Sequence, residues 1–298
     1  MSSNRERLLG IIEAFSVTFL WSSSYILVKI GLNDIRIPPS TLVSYRYAIA
    51  SMILVPIAVH RKAHTGFRDV KTLSRILFLG FTGYTVAQGL QCLGLFYLPA
   101  VTVTFLLNFT PVMVLLLGIL TLNERPSPAQ IAGLLIILSG VSLFFNKPLS
   151  KINLWGMIIT LISGLGWASY MVYIRRSLIA ERVSNIGLTA FSMGVGTVLL
   201  LAVTLLNEGL YPIPIRGWVI IFWLGIVNTS IAFFLWNDAL SKLEAFETAI
   251  IQNTMLIQIA ILSWVFMDEK LSPQNILAIT LVFLGVLIVQ IRPLRSRL

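Results

Sequence analysis

The feature that most constrains this chain is a series of ten apolar runs that fills nearly its whole length. They extend from Ile11 to Gly31, Thr41 to Val59, Leu73 to Cys92, Ala100 to Leu122, Gln130 to Phe145, Leu154 to Ile174, Ile186 to Leu206, Trp218 to Leu240, Thr248 to Met267 and Asn275 to Ile291. A helix that crosses the hydrocarbon core needs about 20 predominantly apolar residues, or about 30 with its loop. Ten such units consume the 298 residues and leave no room for a water-soluble catalytic domain. Only 11% of the residues are charged, against about 25% in soluble domains. Prolines that cannot continue a helix mark the breaks, at Pro38-Pro39, Pro126, Pro128, Pro148, Pro212, Pro214 and Pro273. The pattern predicts an all-α polytopic membrane protein with ten transmembrane helices. The first run lacks a small-residue cleavage site, so it is expected to remain as a span.

The net charge of +10 arises from 22 Lys plus Arg against 12 Asp plus Glu. In a soluble protein this excess would point to nucleic acid. Here the basic residues sit in short loops between apolar runs, so no nucleic-acid partner is expected. Fifteen of them fall on the side that carries both termini, and five on the other: Arg36, Lys147, Lys151, Arg216 and Lys270. That asymmetry predicts cytoplasmic termini. Lys29 and Arg46 are left over, inside spans. Cys92 is the single cysteine, which excludes an intramolecular disulfide or a cysteine metal site.

Sliding the chain against itself by 145 residues aligns positions 94–143 with 239–288, with 11 of 50 residues identical. Asn108 meets Asn253, Gly140-Val141 meets Gly285-Val286, and Asn123-Glu124-Arg125-Pro126-Ser127-Pro128 meets Asp268-Glu269-Lys270-Leu271-Ser272-Pro273. One residue of drift pairs Trp21-Ser22-Ser23 with Trp167-Ala168-Ser169 and Lys29 with Arg175. Residues 1–146 and 147–298 are therefore expected to form two five-helix repeats. An odd number of spans inverts the second copy, as in secondary transporters whose substrate sits near the midplane. The competing reading is a duplication kept only for packing.

Trp21-Ser22-Ser23-Ser24-Tyr25 followed by Lys29, the Glu124-Arg125-Pro126-Ser127-Pro128 corner leading to Gly133 and Gly140, and the five-plus-five repeat resemble the EamA-type drug/metabolite transporters over nearly the whole chain. The resemblance implies a multi-pass protein of the bacterial inner membrane. It implies a central cavity formed mainly by spans 1, 3, 4, 6, 8 and 9, with spans 5 and 10 behind. It also implies a small-molecule substrate, with the greatest likeness to exporters of amino acids, among them the YddG-like exporters of aromatic amino acids. Leu271 departs from the pattern where the first repeat has Pro126.

Polar groups inside spans are the candidate site. Trp21 and Trp167 recur in the repeat, with Ser24 and Tyr170 one turn on; they either stack on a ligand or pack. Tyr84, Gln88 and Gln91 form one stripe of span 3, matched by Thr229, Phe233 and Trp236 in span 8. Asn108 and Asn253, present in both copies, either glue helices or touch substrate. The substrate-binding set expected is Trp21, Ser24, Tyr84, Gln88, Asn108, Trp167, Tyr170 and Asn253. Arg46, whose repeat equivalent is Phe191, either binds a substrate carboxylate or snorkels to the outer interface. Lys29 and Glu13 are expected near opposite ends of span 1, anchoring or functional.

Gly133 with Gly140, and Ala278 with Gly285, allow close helix approach, within the chain or across a homodimer through spans 5 and 10. No nucleophile elbow, dinucleotide loop or phosphate loop is present, and His60 and His64 lack further metal ligands nearby. No cofactor or catalytic residue is expected; lipids and a small solute are the expected partners. A uniporter and a proton antiporter using Glu13, Glu244 or Glu247 both fit, while a membrane enzyme or a sensor lacks a clustered reactive set.

Overall fold

The computed structural model describes residues 4–63, 70–98, 100–122, 126–144, 153–180, 184–267 and 273–290. His64, the Asn123-Glu124-Arg125 and Asp268–Ser272 corners and the side chain of Trp264 lie outside the described residues.

Every regular element among the described residues is helical, and the ten apolar runs are ten helical spans. Span 1 is Asn4–Lys29 with a π-helical end, Ile30–Asp34; span 2 is Pro39–His60. Span 3 joins Val70–Leu79, a π-helical stretch Gly80–Gly89, and Leu90–Tyr97. Span 4 is broken into Ala100–Leu107 and Thr110–Leu122, and span 5 is Pro128–Phe144. In the second copy, span 6 is Leu154–Ala180 and span 7 is Asn185–Asn207. Span 8 joins Ile215–Gly225, a π-helical turn Ile226–Ile231, and Ala232–Lys242. Span 9 is broken into Ala245–Gln252 and Thr254–Met267, and span 10 is Pro273–Gln290. Seven segments meet the length and hydropathy of a full crossing, and Thr110–Leu122, Pro128–Leu143 and Ile276–Val289 are shorter apolar helices. Large apolar side chains such as Phe19, Met52, Leu120 and Leu206 project outward, where lipid solvates them without penalty.

The packing obeys the inversion. Span 5 packs on span 10 and span 2 on span 7, while span 1 lies on span 8 as span 6 lies on span 3. Span 1 also meets span 9 as span 6 meets span 4. Exchanging each span with its counterpart five places on maps the first two pairs onto themselves and interchanges the others. Two five-helix repeats of opposite orientation thus enclose a common centre. The irregularities recur too: a π-helical stretch in spans 3 and 8, and a break at Asn108 and at Asn253 in spans 4 and 9. Pro111 explains the first break, because it has no N–H to donate to the Leu107 carbonyl. Span 9 has no proline there, so its break follows from packing rather than from local sequence.

Lys29 and Arg175, aligned by the repeat, perform the same task at opposite faces. The Lys29 ammonium donates to the carbonyls of Leu95 (2.6 Å) and Leu98 (3.0 Å) at the end of span 3. The Arg175 guanidinium donates to those of Leu240 (2.7 Å) and Leu243 at the end of span 8. Each cation satisfies orphan carbonyls and complements the negative end of a helix dipole. Lys29 therefore caps a neighbouring helix instead of snorkelling. The first turn of span 2 is capped from a loop: Glu208 accepts from the Ser40 N–H (2.9 Å) and the Thr41 N–H (2.7 Å).

Spans 5 and 10 meet through their small residues inside the chain. A Cβ on Gly133 would stand 2.7 Å from the Gly285 carbonyl oxygen, and one on Gly285 would stand 2.7 Å from that of Gly133. Backbone on both sides cannot yield as a flexible side chain does. Gly285→Val is expected to lower stability by about 1–3 kcal/mol through overpacking. A thermal melt of the detergent-solubilised protein checks it; an unchanged midpoint would show that the two helices are free to separate.

Candidate functional site

The centre of the molecule holds a narrow cavity of about 40 Å³, lined by side chains from six of the spans. Span 1 contributes Trp21, Ser24 and Tyr25, span 2 Arg46, and span 3 Gln88 and Gln91. Span 4 contributes Leu107 and Thr110, span 6 Ser163 and Trp167, and span 9 Gln252 and Met255. A second lobe, sharing Ser24, Tyr25, Arg46, Gln88 and Gln91, continues past Cys92 to Leu95, near the end of span 3 remote from the N-terminus. The cavity thus occupies the midplane and the half of the molecule away from the N-terminal face. The broken helices border it directly: Leu107 and Thr110 flank one break, and Gln252 precedes the other.

Four of the eight expected site residues line this space: Trp21, Ser24, Gln88 and Trp167. Tyr84 and Tyr170 lie behind it, hydroxyl to hydroxyl at 2.9 Å. The Tyr170 ring stacks on Trp167 at 5.2 Å and 14°. Asn237, buried beside them, donates to the Tyr170 hydroxyl (2.8 Å) and to Thr189 (2.7 Å). Asn108 turns back on its own helix, donating to the Thr104 carbonyl at 2.8 Å. Asn253 is buried at the break of span 9 with its amide nitrogen unpaired among the described residues. Sequence reasoning did not assign Tyr25, Leu107, Thr110, Ser163 or Met255 to the site: Tyr25 entered only as part of the span 1 motif, and the other four carry no signal beyond their place in an apolar run. The cavity also differs from the expected six-span lining in two respects. Span 2 reaches it through Arg46, and the side chains of span 8 lie beneath it.

The matching stripes of spans 3 and 8 explain the second difference. They occupy the same register, yet one bears the amides Gln88 and Gln91 and the other the rings Phe233 and Trp236. The rings fill the space below Trp21, with centroids 5.4 Å and 4.8 Å away. Trp236 is fully buried, and Phe233 also touches Tyr84 and Tyr47. The amides leave the corresponding space by Trp167 open and polar. The two tryptophans, equivalent in sequence, accordingly make different bonds: the Trp21 indole N–H donates to the Asn228 carbonyl (3.1 Å), that of Trp167 to the Gln252 side chain (2.8 Å). One conformation of an inverted repeat has to break its own symmetry in this way. An aromatic seal closes the cavity on the N-terminal side.

Ionic contacts reinforce the seal. The Lys242 ammonium bridges Glu13 (2.5 Å) and Asp238 (2.6 Å), and Arg7 pairs with Glu247. These contacts join span 1 to spans 8 and 9 at the N-terminal face. Glu13 is therefore paired, which gives its place in span 1 a structural account.

Comparison with known proteins accords with this architecture. The sequence pattern described as the EamA-like transporter family matches residues 8–146 and again 154–291. An uncharacterized transporter of Archaeoglobus fulgidus is 24% identical over 84% of this chain and 86% of its own length. A probable terminal-alkyne amino-acid exporter of Streptantibioticus cattleyicolor is 25% identical over 93% of this chain and 92% of its own. One crystal structure superposes with a TM-score of 0.78 at 19% identity, over 97% of this chain and 98% of the other, and so shares the fold.

Proposed function

The chain belongs to the EamA-like transporter family, and on that premise we propose that it is a secondary carrier for amino acids or similar small metabolites. It works by alternating access across the bacterial inner membrane, with both termini in the cytoplasm. The observation that carries this reading is the cavity at the repeat interface, which combines two tryptophans with amides, hydroxyls and one arginine. Ring faces receive an apolar side chain and the polar groups hold a backbone-like head. With the N-terminal face assigned to the cytoplasm by its basic loops, the aromatic seal is the cytoplasmic gate and the cavity belongs to the outward-facing half of the cycle. The likeness to a probable amino-acid exporter supports this substrate class, and the tryptophan pair favours its aromatic members. Trp21, Ser24, Gln88 and Trp167 contact the solute in this reading. Tyr84 and Tyr170 support the floor, and Asn108 and Asn253 mark the flexible points of spans 4 and 9.

Uniport is favoured over proton antiport by the placement of the carboxylates: among the described residues no acidic side chain lines the cavity. The test is counterflow in proteoliposomes. Preloaded phenylalanine, tryptophan or leucine should drive accumulation of the labelled amino acid without an imposed pH gradient. No counterflow of any amino acid, with correctly inserted protein, would refute the carrier assignment.

A further inference from the structure

Arg46 is a buried cation with no acidic partner among the described residues. Only 7% of it is exposed, and it lines both lobes of the cavity. It lies seven residues into span 2, about 10 Å along the axis, too deep for its position to be that of an interfacial anchor. A charge inside the bilayer is costly and usually faces a partner or a cavity. The repeat equivalent is Phe191, so the shared architecture does not require a charge here.

The π-helical turn of span 8 holds the guanidinium by one edge. Its Nε donates to the Thr229 hydroxyl (2.5 Å) and one Nη2 hydrogen to the Asn228 carbonyl (3.1 Å). The Tyr47 ring lies 5.5 Å below its central carbon. All these partners are neutral, and no acidic side chain pairs with Arg46 among the described residues. Nη1 donates to none of them. Gln88, also on the cavity wall, leaves its amide unpaired among the described residues as well.

We infer that Arg46 is the anion anchor of the cavity: the solute carries a free carboxylate that docks on the open edge of its guanidinium. This rests on the carrier reading and narrows it. An arginine with one edge fixed presents the other as a planar fork that suits two carboxylate oxygens. Among the described residues the cavity has no acidic side chain for an ammonium group, so the carboxylate is the required group and the amine is dispensable. The solute class is therefore small monocarboxylates with an apolar body, of which aromatic and branched amino acids are members.

Quenching of tryptophan fluorescence in the full-length, detergent-solubilised protein reads binding without needing flux, which keeps this test separate from counterflow. The probes are L-phenylalanine, 3-phenylpropionate and L-phenylalaninamide. Phenylalanine and phenylpropionate should bind within about threefold of each other, and the amide at least tenfold more weakly. Arg46→Gln should reduce phenylalanine affinity at least tenfold and abolish the preference over the amide, while Arg46→Lys should retain part of it. Should Arg46→Gln fail to fold, the acid-to-amide ratio of the wild-type protein decides alone. Equal binding of acid and amide, no binding of either acid, or phenylalanine affinity in folded Arg46→Gln within twofold of wild type would each overturn the anchor.

Discussion

Trp167→Ala is expected to weaken binding of an aromatic amino acid by about 30-fold. The Trp167 indole is the ring of the pair that faces the open, polar part of the cavity. One of its faces rests on Tyr170 at 5.2 Å, Trp236 and Phe233 stand further off at 6.2 Å and 5.8 Å, and its N–H is satisfied by Gln252 at 2.8 Å. It is thus held from behind and has a surface to offer a solute. A ring face that covers about 80 Å² of apolar solute at about 25 cal/mol/Å² stabilises the complex by about 2 kcal/mol, hence the factor of about 30. Trp21→Ala should act differently. That ring packs closer than Trp167 does against Phe233 and Trp236, 5.4 Å and 4.8 Å against 5.8 Å and 6.2 Å, so its truncation cuts a hole in the seal and lowers stability by about 3–5 kcal/mol. Trp167→Phe keeps a ring and forfeits one hydrogen bond, and should lie within about tenfold of wild type. Fluorescence titration of the remaining tryptophans, alongside thermal melts, separates these outcomes. If Trp167→Ala binds phenylalanine within a factor of two of wild type, the solute does not sit between spans 1 and 6.

The two tryptophans also show how far sequence alone reached. Their recurrence was visible because spans 1 and 6 are copies, and the same copying exposed the inversion and the small-residue seam of spans 5 and 10. Their inequivalence was not visible. It comes from Gln88 and Gln91 standing where the other copy has Phe233 and Trp236, a difference legible in the aligned stripes only once the direction of each stripe is known. Lys29 was harder still. Alignment with Arg175 hinted at a common task, but the acceptors are main-chain carbonyls 66 and 69 residues away, and carbonyls leave no mark in a sequence. The break of span 9 at Asn253 has no proline to announce it. Local propensity says little where every segment is apolar, and packing decides. Arg46 could be singled out as a charge in only one copy, but its depth and neutral partners required the fold.

Lys242→Met is expected to favour the state open at the N-terminal face and to shield Cys92 from water-soluble thiol reagents. Lys242 is the hub of the ionic contacts there, between Glu13 on span 1 and Asp238 on its own helix. Methionine keeps the apolar stem and removes the ammonium, which leaves the two carboxylates facing each other without a counter-ion. Like charges repel, and separation of spans 1 and 8 relieves them by letting in water. Among the described residues the opposite face has no such lock: the repeat equivalents of Glu13, Lys242, Arg7 and Glu247 are Ile159, Tyr97, Asn153 and Thr102. Charge is thus spent on one gate only, and its removal biases the equilibrium in one direction. The Lys242 and Glu13 side chains are each about 20% exposed, so the pair is worth less than a fully buried one. A loss of about 1.5 kcal/mol shifts the two-state ratio by about tenfold. Cys92 reports that shift without engineering. It is the single cysteine, and it lines the lobe of the cavity that extends away from the N-terminal face. Closure of that half buries it further. Its rate of modification by a charged methanethiosulfonate should fall in Lys242→Met, by at most about tenfold, while Lys242→Arg, which preserves the bridge, should match wild type. A rate that is unchanged or faster in Lys242→Met would mean that the ionic contacts stabilise the fold without choosing between its two access states.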